Sequence, residues 1–172
     1  MTLKKTVKMG AKQAMAQYDD AFEQYGEGAV ALIDANTEAE FSQDWGDIDG
    51  SPEQIVIDAH GSNQALDLDS ENGEYIVSTG NGKTNVSGTS GTNVSDLPTP
   101  KGNLENTTLC LNTCNSNNPS QNPMKGSKET LALGFSKTSV GTLRGSNRKA
   151  NISETTGKAT IPLYQALKGG VW

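Results

Sequence analysis

Apolar residues in this chain come in short bursts separated by long polar stretches, and two of the bursts have the same shape. Ile55-Val56-Ile57 is an unbroken β-branched run, which reads as a strand buried on both faces. It leads through Asp58-Ala59 to His60-Gly61. Thr107-Thr108-Leu109-Cys110-Leu111-Asn112-Thr113-Cys114 is a second β-rich run, and it ends on a cysteine. Upstream, Ala29-Val30-Ala31-Leu32-Ile33 reads as a short buried strand ending at Asp34. Asn36 or Thr37 can cap a helix over Glu38–Trp45, with Ala39 and Phe41 among its inward candidates. Gly46-Asp47-Ile48-Asp49-Gly50-Ser51-Pro52 is a turn cluster. This β-α-β order, over about 30 residues, predicts a parallel pair with a helical crossover.

The flanking pattern is less regular. Ala11, Ala14, Met15, Tyr18, Ala21, Phe22 and Tyr25 recur at helical spacing over 8–25, and Gly26 is a stop. Residues 1–28 are therefore expected to form a helical lead. Ala65-Leu66-Asp67-Leu68 and Glu74-Tyr75-Ile76-Val77 flank Asn72-Gly73, a strong hairpin signal, with Asp67 and Asp69 on its solvent face. Residues 78–95 are almost all Ser, Thr, Gly and Asn, which predicts an exposed, mobile loop. Asp96 to Pro100 restarts order, and residues 115–126 form a second polar loop. Ser127 can cap a helix running to Lys137, with Glu129 in its first turn and Leu131, Ala132, Leu133 and Phe135 as apolar positions. Ser139–Arg144 reads as a strand, and the tail from Lys158 to Trp172 as either a strand or a short helix. The expected fold is α/β: a three-layer α/β/α sandwich around a mostly parallel sheet, with an inserted hairpin.

Composition narrows the function classes. A chain of 172 residues is most simply one domain, large enough to bury a core without disulfides. Apolar content of 33% predicts a modest core with long polar loops. A net charge of −6 disfavours nucleic acid, whose binding needs clustered Lys and Arg. No apolar run approaches the roughly 20 residues of a membrane span. No signal-type apolar core follows the basic start Met1 to Lys5, so the chain reads as either cytoplasmic or a module excised from a larger secreted protein. The sequons at Asn85, Asn93, Asn106 and Asn151 mean little in a chain so rich in Asn, Ser and Thr. Cys110 and Cys114 on one strand would lie about 13 Å apart, too far for a disulfide. Two cysteines and one distant histidine also lack the close pairs of a zinc site, so no metal or other cofactor is expected.

What remains is a thiol and an imidazole at two strand ends. A histidine within reach takes the thiol proton and later passes it to a leaving amine. Two N–H donors must hold the tetrahedral oxyanion, and a glycine after the histidine lets backbone approach the substrate. His60, Gly61 and Cys114 can thus supply base, oxyanion donor and nucleophile, with the Cys114 amide as second donor. Cys110, inside its strand, belongs to the core, and Asp58 reads as a buried or structural acid.

An apolar strand ending in His-Gly, followed by an apolar strand ending in Cys, resembles the caspase-like cysteine peptidases, the group of clostripain, gingipains, legumain and bacterial caspase-like domains. Caspases place the histidine about 50 residues before the cysteine, and here the spacing is 54. The resemblance runs from about Val30 to Arg144 and includes the segment Thr130–Arg144, similar to the element that borders the substrate cleft in that group. Cys114 is followed by Asn115-Ser116, so the local caspase signature is absent and the resemblance is to the broader group. It implies a cysteine endopeptidase acting on an extended peptide or protein substrate through a thioester on Cys114. A self-processing domain of a larger protein and a catalytically inactive binding or scaffold module are the alternatives. In that group the residue ending the first strand helps line the pocket for the residue before the cut. Here that residue is Asp34, whose carboxylate would favour Lys or Arg. Asp34 reads equally well as leading into the next helix, and the basic segment Arg144–Lys149 would favour an acidic residue instead.

Overall fold

The computed structural model describes residues 4–7, 19, 22–24, 26, 30–79, 91–116, 118, 129–146, 151–152, 159–160 and 164–167. Its strands are β1 (Lys4–Val7), β2 (Val30–Ile33), β3 (Gln54–Asp58), β4 (His60–Gly61), β5 (Ala65–Asp69), β6 (Glu74–Val77), β7 (Thr92–Asn93), β8 (Thr108–Asn112), β9 (Thr142–Ser146), β10 (Asn151–Ile152), β11 (Ala159–Thr160) and β12 (Tyr164–Leu167). Helix α1 spans Glu38–Gly46, α2 spans Leu131–Ser136, and a single 3-10 turn covers Val94–Asp96.

The chain is mixed α/β. Its largest sheet has six strands in the order β12-β9-β8-β3-β1-β2. The strands β2, β1, β3, β8 and β9 run parallel, and β12 lies antiparallel on β9. A smaller sheet of order β4-β5-β6-β7 is inserted between β3 and β8. Strands β10 and β11 form a separate antiparallel pair.

Burial on the large sheet follows its pleat. Ile55, Leu109 and Leu143 lie side by side in the β3–β8–β9 register, as do Ile57 and Leu111. These five belong to one core with Phe41 and Trp45 of α1 and Leu131, Ala132 and Phe135 of α2. The helices meet through Trp45 and Phe135, whose ring centroids are 5.4 Å apart at an interplanar angle of 60°, an edge-to-face contact. Val56 and Cys110 pair on the opposite face and are also buried, so the two central strands are apolar on both sides, as the run Ile55–Ile57 predicts.

Several expectations need correction. Strands β2 and β3 run parallel in one sheet but do not pair, because β1 lies between them. Lys4-Lys5-Thr6-Val7 carries too little apolar patterning to announce a strand, so its place comes from backbone pairing on both sides. Most of the expected helix over 8–25 lies outside the described residues. Residues 22–24 are helical, and Gly26, at φ +84°, returns its N–H to the Phe22 carbonyl at 2.8 Å, the left-handed stop expected there. In α1, Phe41 and Trp45 are buried, but Ala39 is exposed. Helix α2 begins after Thr130 rather than at Ser127, and Glu129 precedes it.

The polar stretch 78–95 is not a single exposed loop. Ser78, Thr79 and Asn93 are buried, β7 extends the small sheet, and the Asn93 amide donates to Thr79 Oγ1 at 3.2 Å. Hydrogen bonding rather than apolar area orders these margins. The centre of that stretch lies outside the described residues. In the hairpin, Leu66, Leu68 and Ile76 enter the core, while Asp67 and Asp69 alternate with them and are half-buried.

Candidate functional site

Strands β3 and β8 are hydrogen-bonded neighbours, and Asp58 opposite Asn112 is their last register pair. His60 and Cys114 each follow that pair by two residues. They therefore leave the large sheet at equal height on adjacent parallel strands, whose spacing is about 4.8 Å.

The chain changes sheets at His60. Asp58 and Ala59 are buried, then His60 and Gly61 emerge exposed and pair with β5. Gly61 sits at φ +154°, where side chains are disfavoured. A Cβ there would lie 2.0 Å from the Ala65 carbonyl oxygen and 2.9 Å from Thr113 Cγ2. The second contact matters for the site, because it sets the residue before Cys114 against the residue after His60. Ser62 N–H closes this turn on the Ala65 carbonyl at 2.9 Å.

Strand β8 ends at Asn112, so Cys114 lies just past the strand rather than on its last residue. Thr113 is fully buried and Cys114 half-buried. Asn115 then takes a left-handed conformation, φ +56°, one that Asn tolerates better than most residues. Ser116 fastens the turn: its hydroxyl donates to the Leu111 carbonyl at 3.3 Å and accepts the Ser146 N–H at 2.9 Å. The carboxyl ends of β8 and β9 are clasped together there.

Helix α2 holds both candidate loops by its first turn. Helix starts carry N–H groups with no intrahelical partner. The Leu131 N–H goes to the Asn63 carbonyl at 2.7 Å, behind His60-Gly61, and the Ala132 N–H to the Ser116 carbonyl at 2.9 Å, behind Cys114. Thr130 caps Leu133 N at 3.1 Å, and Gln64 Nε2 donates to the Glu129 carbonyl at 2.9 Å. Two buried polar atoms nearby, Asn63 Nδ2 and Thr113 Oγ1, have no hydrogen-bond partner among the described residues.

His60, Gly61 and Cys114 are thus brought to one edge by neighbouring strands. Both cysteines are thiols, with Cys110 buried inside β8. Asp58 is fully buried. Asp34 is exposed just past β2, an edge strand, about 14 Å across the sheet from β8. The structure does not join it to the His60–Cys114 pair. Arg144 is exposed on β9 beside Cys110, and residues 147–149 lie outside the described residues. A cleft of about 420 Å³ lies along α2, lined by Trp45, Val94, Leu97, Pro98, Pro100 and Lys137 among others, and neither His60 nor Cys114 reaches it. Among the described residues, no cluster of His, Cys, Asp or Glu could hold a metal ion, and no helix is long and apolar enough to cross a membrane.

Sequence reasoning missed the Ser116–Ser146 clasp, hidden in a uniformly polar run. It also missed the ladder in which His60 stands opposite Asp67, and Asp67 opposite Tyr75. The alternation of Ala65–Asp69 put Asp67 off the core face, but nothing marked His60-Gly61 as a strand of its own. Comparisons with family models, with curated proteins and with solved structures find no match to this chain.

Proposed function

We propose that this chain is a cysteine endopeptidase of the caspase-like type, with a three-layer α/β/α fold and a His60–Cys114 dyad. The observation that carries the reading is the shared height of the two residues beyond the Asp58–Asn112 pair. Open α/β sheets place ligands outside the carboxyl ends of their strands. The substrate is an extended peptide laid across that edge.

The imidazole of His60 takes the Cys114 proton, and the thiolate sulfur attacks the scissile carbonyl carbon. Backbone N–H groups of Gly61 and Cys114 hold the oxyanion. The C–N bond breaks as the imidazolium gives its proton to the amine. Water, deprotonated by His60, then cleaves the thioester and regenerates the thiol.

Iodoacetamide at neutral pH, with adducts mapped by mass spectrometry, tests the dyad without a known substrate. Cys114 should label faster than Cys110 and faster than a free-cysteine peptide, and His60→Ala should remove the advantage. Equal slow labelling of both thiols would point to the non-catalytic module instead. On a cleavable peptide, Cys114→Ala and His60→Ala should each abolish turnover, while Cys110→Ala keeps it. The double variant should be no worse than either single one, because nucleophile and base act as a unit.

A further inference from the structure

Three ionisable side chains form one row across the small sheet. Antiparallel pairing sets His60 of β4 opposite Asp67 of β5, and Asp67 opposite Tyr75 of β6. Directly opposed residues share a face, with Cβ atoms about 4.5–5.5 Å apart. The register is pinned from the other face. Leu66, Leu68 and Ile76 are almost completely buried, and a one-residue slip of β5 would drive Asp67 into the core. Gly61 against the Ala65 carbonyl fixes the start of the same ladder.

We propose that Asp67 is the positioning residue for His60: its carboxylate accepts the N–H of one imidazole nitrogen and leaves the other to face Cys114. The proposal deepens the dyad reading and rests on it. No hydrogen bond joins the two side chains in this structure. His60 is exposed and Asp67 half-buried, so rotation about their side-chain bonds closes the remaining gap. When the free nitrogen takes the thiol proton, the resulting imidazolium stands between the thiolate and the Asp67 carboxylate, which only accepts a hydrogen bond. The ionisable groups of this row and its next rung are Asp67, Tyr75, Asp69 and Glu74, with Cys114 presented from the β8 side. Asp69 and Glu74 oppose each other, so neither is His60's cross-strand partner. The ordinary alternative is a hairpin face that merely carries charge. Such a face would not need its carboxylate opposite the chain's only histidine.

That single histidine makes the test direct, because its ring 15N resonances need no assignment. With the imidazole neutral, the wild type should hold mainly one tautomer, and Asp67→Asn, whose amide can donate as well as accept, should redistribute it. Asp67→Glu should restore part of the preference, and Asp69→Asn should leave it unchanged. Asp67→Asn should also slow Cys114 alkylation and lower kcat about tenfold or more, with KM within about twofold. Identical tautomer ratios and alkylation rates in wild type and Asp67→Asn would overturn the proposal. Should Asp67→Asn fail to fold, Asp67→Ser, which also removes the carboxylate, carries the same readouts, and values identical to wild type there would overturn it equally. The two readings fail separately. If His60→Ala leaves Cys114 labelling unchanged while Asp67→Asn moves the tautomer, the dyad falls and the His60–Asp67 pairing stands.

Discussion

Gly61 concentrates the constraints on the candidate site in one residue. Its positive φ disfavours any side chain, and an added Cβ would meet backbone at 2.0 Å. Gly61→Ala should therefore cost at least about 2 kcal/mol, read as a lower urea midpoint, and should disturb Cys114 through Thr113. Ser116 is the second such point. Ser116→Ala would remove both hydrogen bonds of the clasp, to the Leu111 carbonyl and from the Ser146 N–H, a loss of about 1 kcal/mol or more by denaturant titration. The two strands that lead to His60 and Cys114 were readable from the sequence because each is a short, β-rich apolar run. Ser116 was not, since a serine amid Asn115–Gly126 looks like any other loop residue until a distant strand supplies its partner.

Helix α1 shows how much local chemistry announces. Thr37 caps Glu40 N at 3.2 Å, and the Glu40 carboxylate returns to Thr37 N at 3.2 Å, a complete capping box. Thr37→Ala should cost about 1 kcal/mol, seen as a reduced thermal midpoint. The start of α2 was harder to read, because Ser127 and Thr130 are both plausible caps and only the tertiary anchors at Asn63 and Ser116 favour the later one. Gly134 in α2 sets two effects against each other. Alanine gains about 1 kcal/mol of helix propensity. Its Cβ, however, would stand 2.4 Å from Ser78 Oγ and 2.9 Å from Ser78 Cβ, and overpacking costs about 1–3 kcal/mol. Gly134→Ala should come out net destabilising, and combining it with Ser78→Gly should relieve the loss. At the other end of α1, Lys101 pairs with Asp47 at 2.6 Å, and hydrogen bonding to that carboxylate raises the lysine above its ordinary 10.5. The pair's small contribution is present below that value and is lost as pH rises through the raised one. The difference in urea midpoint between wild type and Lys101→Met should be constant near neutrality and disappear in strong alkali.

At the scale of the molecule, the sheet turns on a strand that the sequence hardly marks. The β3–β8 pairing could be inferred from two apolar runs, but β1 carries two lysines and a threonine and still separates β2 from β3. Without it those neighbours would stand about 9.6 Å apart, twice the strand spacing. Deleting residues 1–7 should therefore abolish cooperative unfolding and solubility, unlike trimming a loose lead. Thr6→Pro, which removes one ladder donor from an interior strand, should give a folded but strongly weakened protein by circular dichroism melting. The position of β1 also orders events during synthesis. It leaves the ribosome before either of its partners, the second of which ends at Asp58. At about 5–20 residues per second, this stretch waits seconds for its place, and nascent chains halted before β3 should be the ones that chaperones retain.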